Sequence, residues 1–454
     1  MSTTIAAIAT PACAGGIGIV RLSGEQATDI ADKVFKSVSG KNLSQMKGYT
    51  ALFGKVYDND ELLDECVALV FKSPKSYTGE DVVELSCHGG LYVMQRVLRA
   101  VLNNGAVAAA AGEFTKRAFL NGKLDLTKAE AVMNVVSAHG KQALCAAVNT
   151  LSGRLGDKIR GITNKLSHTS AAIAVWTDDP DEDVPDAHEE NIISVLETCK
   201  AELLQLTQDF DNGMVFTEGV LTAIVGRPNV GKSTLMNLLS GFDRSIVTPI
   251  AGTTRDIVEE TVVLGDIKLR LADTAGLHQS DDLVEAIGIE KSKSKMENAQ
   301  LVIAVFDGSQ KLNEDDMALL QSCKGKKAIA VINKSDLECV TDSGVIEEYI
   351  KNHVYISAKD GSGTRELQNA IEAALGASDI DTSSGILSNE RQYYCCKEAQ
   401  NAISEALECL LSGVTLDAAN VCIDTAISSL LELTGEKARD AVVSEIFSKF
   451  CVGK

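Results

Sequence analysis

At 454 residues the chain is too long for one hydrophobic core, and length alone points to about three domains. An apolar fraction of 45% suits a globular protein, and no apolar run reaches the roughly 18–20 residues that a membrane helix needs. The formal charge of −20 argues against a general polyanion binder, because phosphate affinity comes from clustered Lys and Arg; it leaves room for a local basic patch.

The opening apolar stretch, through Ile5 and Ile8, lacks the basic residues that start a signal peptide, since the first charge is Arg21. It reads as a first strand, and the chain as cytoplasmic and without a membrane anchor. Short apolar runs (Gly15–Leu22, Ala68–Phe71, Val82–Gly90) then alternate with Gly-rich turns, which predicts an α+β domain over residues 1–121. From about Leu126 to Phe210 the spacing of Ala129, Val132, Met133, Val136 and Ala143 is helical, broken by the acidic, prolyl stretch Asp178–Asp186, which reads as a solvated loop with a metal site as the alternative. Between Gly219 and Gly376, short β-rich runs at Leu221–Val225, Leu269–Asp273, Leu301–Phe306, Ala328–Ile332 and Val354–Ile356 alternate with helical segments. That pattern predicts a doubly wound parallel sheet over residues 219–378. After the polar stretch Ala377–Ser388 helical spacing returns through Ala399, Ile403, Leu407, Leu410 and Leu430. Residues 122–218 and 379–454 are therefore expected to pack as one helical domain carrying the α/β unit as an insertion. Twelve scattered cysteines make no metal-ligand spacing and read as reduced, mostly buried thiols.

The inserted unit carries the chemistry. Gly226–Ser233 fits GxxxxGK[ST], follows a predicted strand and opens a helix at Thr234. Backbone N–H groups of such a loop (Asn229, Val230, Gly231 among them) wrap phosphates, Lys232 reaches the β- and γ-phosphates, and Ser233 ligates Mg²⁺. Thr253 and Thr254 lie downstream, with Thr254 as the second hydroxyl on Mg²⁺. Asp273, Thr274, Ala275 and Gly276 end a strand, where the carboxylate can hold Mg²⁺ through water and the Gly276 N–H can meet the γ-phosphate. Asn333, Lys334, Ser335 and Asp336 close another strand. The Asp336 carboxylate accepts two hydrogen bonds from guanine N1–H and N2–H, a pair that adenine does not present. Ser357, Ala358 and Lys359 supply an N–H to guanine O6. Five motifs in this order predict a GTP- and GDP-binding G domain.

Leu277 stands where signalling GTPases carry the Gln that orients water. Asp281, Asp282, Glu285 and Glu290 are the candidate carboxylates nearby, and the residues alone do not choose among them. No arginine finger is evident, and a monovalent cation held by Asn229 and carbonyls around Thr248–Thr253 would replace its charge.

Together with Thr3–Gly24, Thr78–Glu84, His88–Gly90, Gly112–Thr115, Ala118–Leu126 and the closing Phe450–Lys454, these motifs resemble the MnmE (TrmE) family of tRNA-modifying GTPases end to end. The resemblance implies a homodimer through a folate-binding-like N-terminal domain. It implies a heterotetramer with the FAD-binding protein MnmG (GidA), acting on C5 of the wobble uridine of certain tRNAs with a tetrahydrofolate one-carbon unit of the 5-formyl or methylene type. It further implies K⁺-stimulated G-domain dimerisation, with K⁺ held by Asn229, Thr248, Ile250 and Thr253. Glu285 would orient the water, and Pro249, Ala251 and Gly252 would line the nucleotide with them. The matching folate positions are Arg21, Glu84, Lys123 and Lys454. Cys451 is a candidate for a chemical role, with a buried thiol as the plain alternative, and Arg21 with Glu84 can equally be a strand-edge ion pair. The chain departs from the family pattern at Ala12–Gly16, Ala109–Gly112, Thr177–Glu182 and His278. A ribosome-assembly GTPase is the competing class, but the helical segment Glu390–Lys454 has neither a GxxG loop nor a basic stripe. A switch acting only through partner binding is the third reading.

Overall fold

The computed structural model describes residues 3–178, 185–208, 210, 213–214, 219–241, 260–265, 267–271, 296, 299–376 and 385–454. The chain divides into two compact units, Met1–Met133 with Gly156–His188 and Cys409–Lys454, and Asn134–Leu155 with Glu189–Glu408. Helical segments contribute to both units.

The first unit holds a seven-stranded sheet built from β1 (Ile5–Ile8), β2 (Ile17–Ser23), β3 (Phe35–Ser37), β4 (Thr50–Asp58), β5 (Glu61–Phe71), β6 (Val82–His88) and β7 (Val107–Ala108). The order is β3-β4-β5-β6-β2-β1-β7, antiparallel except for β1 beside β7. Alternation along β2 and β6 sends Val20, Leu22, Val83 and Leu85 to one face, where α1 (Ala27–Val34) and α2 (Leu91–Asn103) bury them with Ile30, Val34, Val97 and Val101. The approach of α2 is close: a Cβ on Gly18 would come within 2.4 Å of the Met94 sulfur. On the opposite face, α3 (Glu113–Leu120) lays Phe114 against Ile5 and Ala7. Next to it, α4 (Leu126–Ser137) and α14 (Asp440–Ser448) share Leu126, Ala129, Val443, Phe447 and Phe450. Each such side chain stabilises by about 1.5–3 kcal/mol on burial. A short antiparallel bridge, Ala111 to Val452, then brings the chain back beside α3. Of the remaining helices, α6 (Arg154–Asp178) and α13 (Leu416–Thr434) belong mainly to this unit, and α5 (Lys141–Leu151), α7 (Glu189–Gln208) and α12 (Glu390–Leu411) mainly to the second.

In the second unit, β8 (Val220–Val225), β9 (Glu260–Leu264), β10 (Ile267–Leu271), β11 (Leu301–Asp307), β12 (Ala328–Asn333) and β13 (Asn352–Ile356) form a sheet of order β13-β12-β11-β8-β10-β9. All neighbours are parallel except β9 and β10. Every residue of β11 is buried, as a central parallel strand covered on both faces requires. One face packs on α8 (Lys232–Ser240) and α11 (Thr364–Leu375) through Leu235, Leu239, Leu367 and Ile371. The other packs on α9 (Glu314–Cys323) and α10 (Ser343–Glu347) through Leu320 and Ile346. The fold is thus a multidomain α/β and all-α protein with a doubly wound P-loop unit.

Several expectations need correction. The edge strand β9 was not anticipated, because its run Thr261–Leu264 is short and pairs antiparallel through the turn at Gly265. Six of the twelve cysteines are buried, four are exposed, two are intermediate, and all are free thiols. Asp178 still belongs to α6, and Pro185–Ala187 forms a 3₁₀ turn. In agreement with the hydropathy of the sequence, no described helix is long and apolar enough to cross a membrane.

Candidate functional site

The loop Gly226–Gly231 leaves β8 at the point where the chain order of the sheet reverses, the position at which open α/β sheets bind ligands. Three backbone conformations shape it. Gly226 (φ 158) lies where a Cβ would come 2.4 Å from the Val305 carbonyl, Asn229 (φ 63) is left-handed, and Gly231 (φ 97) leaves only 2.1 Å between a Cβ and Asn333 Nδ2. Val230 is buried while Asn229, Ser233 and Thr234 are exposed. Because α8 starts at Lys232, its first N–H groups have no helical partner and open into the curl of the loop, where they favour an anion. Lys232 Nζ donates to the Gly226 and Arg227 carbonyls at 2.8 and 2.7 Å, which holds the ammonium over the loop.

Asn333, at the end of β12, fastens three loops together. Its Nδ2 donates to the Val230 carbonyl at 2.8 Å and its Oδ1 accepts the Ala358 N–H at 3.0 Å, so phosphate loop and base loops meet through one buried amide. Lys334 follows in a left-handed conformation (φ 66) and pairs at 2.7 Å with Asp307, which ends β11. Burial alone would raise the Asp307 pKa, but the Lys334 ammonium and the Ser309 donors outweigh it and hold the carboxyl below the usual aspartate range. Asp336 and Lys359 project at the surface beside buried Ser357 and Ala358. The structure therefore gathers Asn229–Thr234, Asn333–Asp336 and Ser357–Lys359. Thr248, Pro249, Ile250, Ala251, Gly252, Thr253, Thr254, Asp273, Thr274, Ala275, Gly276 and Glu285, with Leu277, His278, Asp281, Asp282 and Glu290, lie outside the described residues.

Two supporting pairs were not foreseen from the sequence. One is Asp307 with Lys334, whose signal was an acid closing an otherwise apolar strand. The other is Arg227 with Asp316: Arg227 Nη2 donates to Gln310 at 2.9 Å and its Nε lies 3.4 Å from the buried Asp316 carboxylate, which also completes the capping box of α9 with Asn313.

A second cluster lies in the first unit. Arg21 and Glu84 are register partners on β2 and β6, and Arg21 Nε meets Glu84 Oε1 at 2.8 Å. These strands are interior, so the pair is not at a strand edge. Arg21 Nη1 also donates to the Gly453 carbonyl at 3.3 Å, and its guanidinium carbon lies 6.0 and 5.6 Å from the Tyr77 and Phe114 rings. Gly453 (φ 97) sits where a Cβ would come 2.3 Å from the Ile8 carbonyl, so the Phe450–Lys454 segment lies tight on β1. Burial, and then the Arg21 charge, lower the pKa of the neighbouring Lys454 ammonium. Cys451 is exposed, which corrects the buried-thiol alternative. Lys123 Nζ donates to the Pro74 carbonyl at 3.0 Å, on the same 73–80 segment that carries Tyr77.

The family-like acids at Glu80 and Glu113 hold backbone and cations in place. Glu80 bonds Ser23 (2.7 Å) and Arg117 (3.1 Å), and Glu113 bonds Arg117 (2.9 Å) and the Ala110 N–H (2.8 Å). His88, exposed, is oriented by Asp64 at 2.7 Å.

A glycine-shaped loop at a helix start, at the switch point of a doubly wound sheet and tied to an Asn-Lys-x-Asp turn, defines a P-loop GTPase. Residues 4–123 match the family model of the GTP-binding protein TrmE N-terminus, and residues 126–451 that of the MnmE helical domain. The tRNA modification GTPase MnmE of Clostridioides difficile (strain 630) is 39% identical over 454 residues, covering 99% of each chain. The protein of the same description from Lactobacillus johnsonii is 40% identical (99% of this chain, 98% of the relative), and that from Bacillus subtilis (strain 168) 37% identical (99% and 100%). The chain belongs to the tRNA modification GTPase MnmE family.

Proposed function

We propose that this chain hydrolyses GTP in the service of tRNA modification, and that with the FAD-carrying protein MnmG it installs an aminomethyl-type group on C5 of the wobble uridine. The observation that carries the reading is the joint assembly of phosphate loop and base turn through Asn333, in a chain that matches its family from end to end. Lys232 binds the β- and γ-phosphates, the first N–H groups of α8 orient them, and Asp336 accepts N1–H and N2–H of guanine. Exposed Ser233 at the helix start fits a Mg²⁺ ligand, with Thr254 as its partner hydroxyl. Exposed, left-handed Asn229 fits a K⁺ ligand, with Thr248, Ile250 and Thr253 completing the set as two G domains meet in a homodimer. Bound there, Mg²⁺ and K⁺ supply positive charge to the phosphates, the K⁺ in place of an arginine finger. Glu285 orients the attacking water in the place Leu277 cannot serve.

In the first unit, Arg21 and Glu84 would hold the polar edge of a tetrahydrofolate, with half-exposed Tyr77 beside them. Lys123 and Lys454 complete the site, and Cys451 beside it is the candidate for a chemical step. The folate supplies the one-carbon unit. Two measurements test the proposal. GTP turnover should be faster in K⁺ than in Na⁺ at equal ionic strength; equal, slow rates would sink the cation reading. Nucleoside mass spectrometry of tRNA from cells lacking the chain should show the wobble modification gone; a normal profile would remove the modification role.

A further inference from the structure

Beyond Lys123 the first unit opens into a cavity of about 900 Å³ between the α3–α4 turn, α6 and the start of α14. Its walls carry Lys116, Lys123, Lys128 and Arg160 against Asp125, Glu436 and Asp440. Arg160 and Asp125 satisfy each other at 3.0 Å, and Asp125 is further held by Thr127 Oγ1 at 2.6 Å and the Lys128 N–H at 2.9 Å. The three lysines are different. Lys116 donates only to Ser444 at 3.3 Å and Lys123 only to Pro74, and among the described residues none of the three forms an ion pair. Lys128 adds its charge to the group that steadies Asp125, while Lys116 and Lys123 line the same cavity with no described carboxylate in salt-bridge range, in a chain of net charge −20. An anion would reach Lys116 and Lys123 without displacing a protein carboxylate, and would share Lys128 with Asp125.

The cavity is also connected. The 73–80 segment links the Arg21 cluster at Tyr77 to Lys123 at Pro74, and Gly79 lies against Asn121 and Lys123. A folate held at Arg21, Glu84 and Lys123 would have this segment, and the cavity beyond it, within reach of its glutamate end. Each γ-linked glutamate added to that end brings one more carboxylate, at the spacing of a flexible peptide. We infer that the Lys116–Lys123–Lys128 cavity receives the poly-γ-glutamate tail of the folate, so that the enzyme selects polyglutamylated over monoglutamylated cofactor. The inference rests on the folate reading above.

The test titrates the full-length protein with mono- and pentaglutamyl 5-formyltetrahydrofolate at low and physiological ionic strength. Half-exposed ion pairs are individually weak, so two or three together are expected to favour the pentaglutamate by roughly tenfold, with the ratio shrinking in salt. Lys116→Glu and Lys128→Glu should each bring the ratio toward about twofold, while monoglutamate binding stays unchanged and reports that the variant is folded. Lys128→Arg should keep the preference. Equal affinity for the two ligands in the wild-type protein would overturn the inference and leave the folate site standing. Failure of the monoglutamate itself to bind would overturn both. Loss of tRNA binding in the lysine variants with the ratio intact would also overturn it, assigning these ammonium groups to phosphodiesters.

Discussion

Replacing Asp307 by Ala should loosen the guanine-reading turn from beneath. The carboxylate accepts the Ser309 N–H at 3.0 Å, the Ser309 hydroxyl at 2.7 Å and the Lys334 ammonium at 2.7 Å, at a position 4% exposed. The two serine bonds to a buried charged acceptor contribute about 2–3 kcal/mol together. The Lys334 side chain is 32% exposed and recovers water when released, so its pair adds only about 1 kcal/mol. Asp307→Ala is therefore expected to destabilise the second unit by about 3–4 kcal/mol and to weaken GTP binding about tenfold as Lys334 loses its tether. Asp307→Asn, which keeps an acceptor for Ser309, should cost about half as much. Thermal unfolding and titration with a fluorescent GTP analogue read both numbers. The sign with pH is fixed as well: because the folded-state pKa is lowered, the contribution is complete above the unfolded carboxyl range and disappears as pH falls through the lowered value. Wild-type and Asp307→Ala proteins should thus converge only in strongly acidic solution. An Ala variant as stable as wild type at neutral pH, with unchanged GTP affinity, would refute the argument.

Three further outcomes are expected. Asp336→Asn should lower GTP affinity by about three orders of magnitude and admit xanthosine triphosphate, whose base offers an acceptor where guanine offers a donor; equilibrium binding with both nucleotides decides it, and retained GTP binding would count against the base assignment. Gly453→Ala, in a left-handed conformation and 2.3 Å from the Ile8 carbonyl, should pull the Gly453 carbonyl off Arg21 at a cost of about 2–4 kcal/mol and abolish folate binding; unaltered stability would mean the segment has room the geometry denies. Thiol labelling of the native protein at pH 8 should mark Cys13, Cys145, Cys339 and Cys451, while burial protects Cys66, Cys87 and Cys323, whose thiol is pushed up to about 11; mass spectrometry of the labelled peptides would expose the opposite pattern.

What was legible in the sequence was what repeats by rule. The run Leu301–Phe306 announced a covered strand because a parallel strand can be apolar at every position, and Gly226–Ser233 announced its loop because phosphate wrapping needs glycine at fixed places. The short antiparallel β9 was not legible, since four β-prone residues carry no period long enough to distinguish a strand from a loop. Asp307 and Asp316 were missed for another reason. They touch Lys334 and Arg227 only after the chain has folded, and nothing in spacing pairs positions 27 or 89 residues apart. Resemblance pointed to Arg21 and Glu84 as folate positions and the residues alone to an ion pair at a strand edge, and the interior place of the pair came only from strand order.

The contact between Arg21 and the Gly453 carbonyl spans 432 residues of chain. On a ribosome making about 5–20 residues per second, Arg21 leaves the exit tunnel roughly 20–90 s before its partner is synthesised. The N-terminal sheet can form in that interval with local partners, Arg21 already paired to Glu84. Yet the guanidinium stays uncovered on one side until synthesis is nearly over. Any nascent or truncated chain that lacks the 443–454 segment would therefore expose a half-built cationic cleft, a state open to stray anions and to quality-control factors alike.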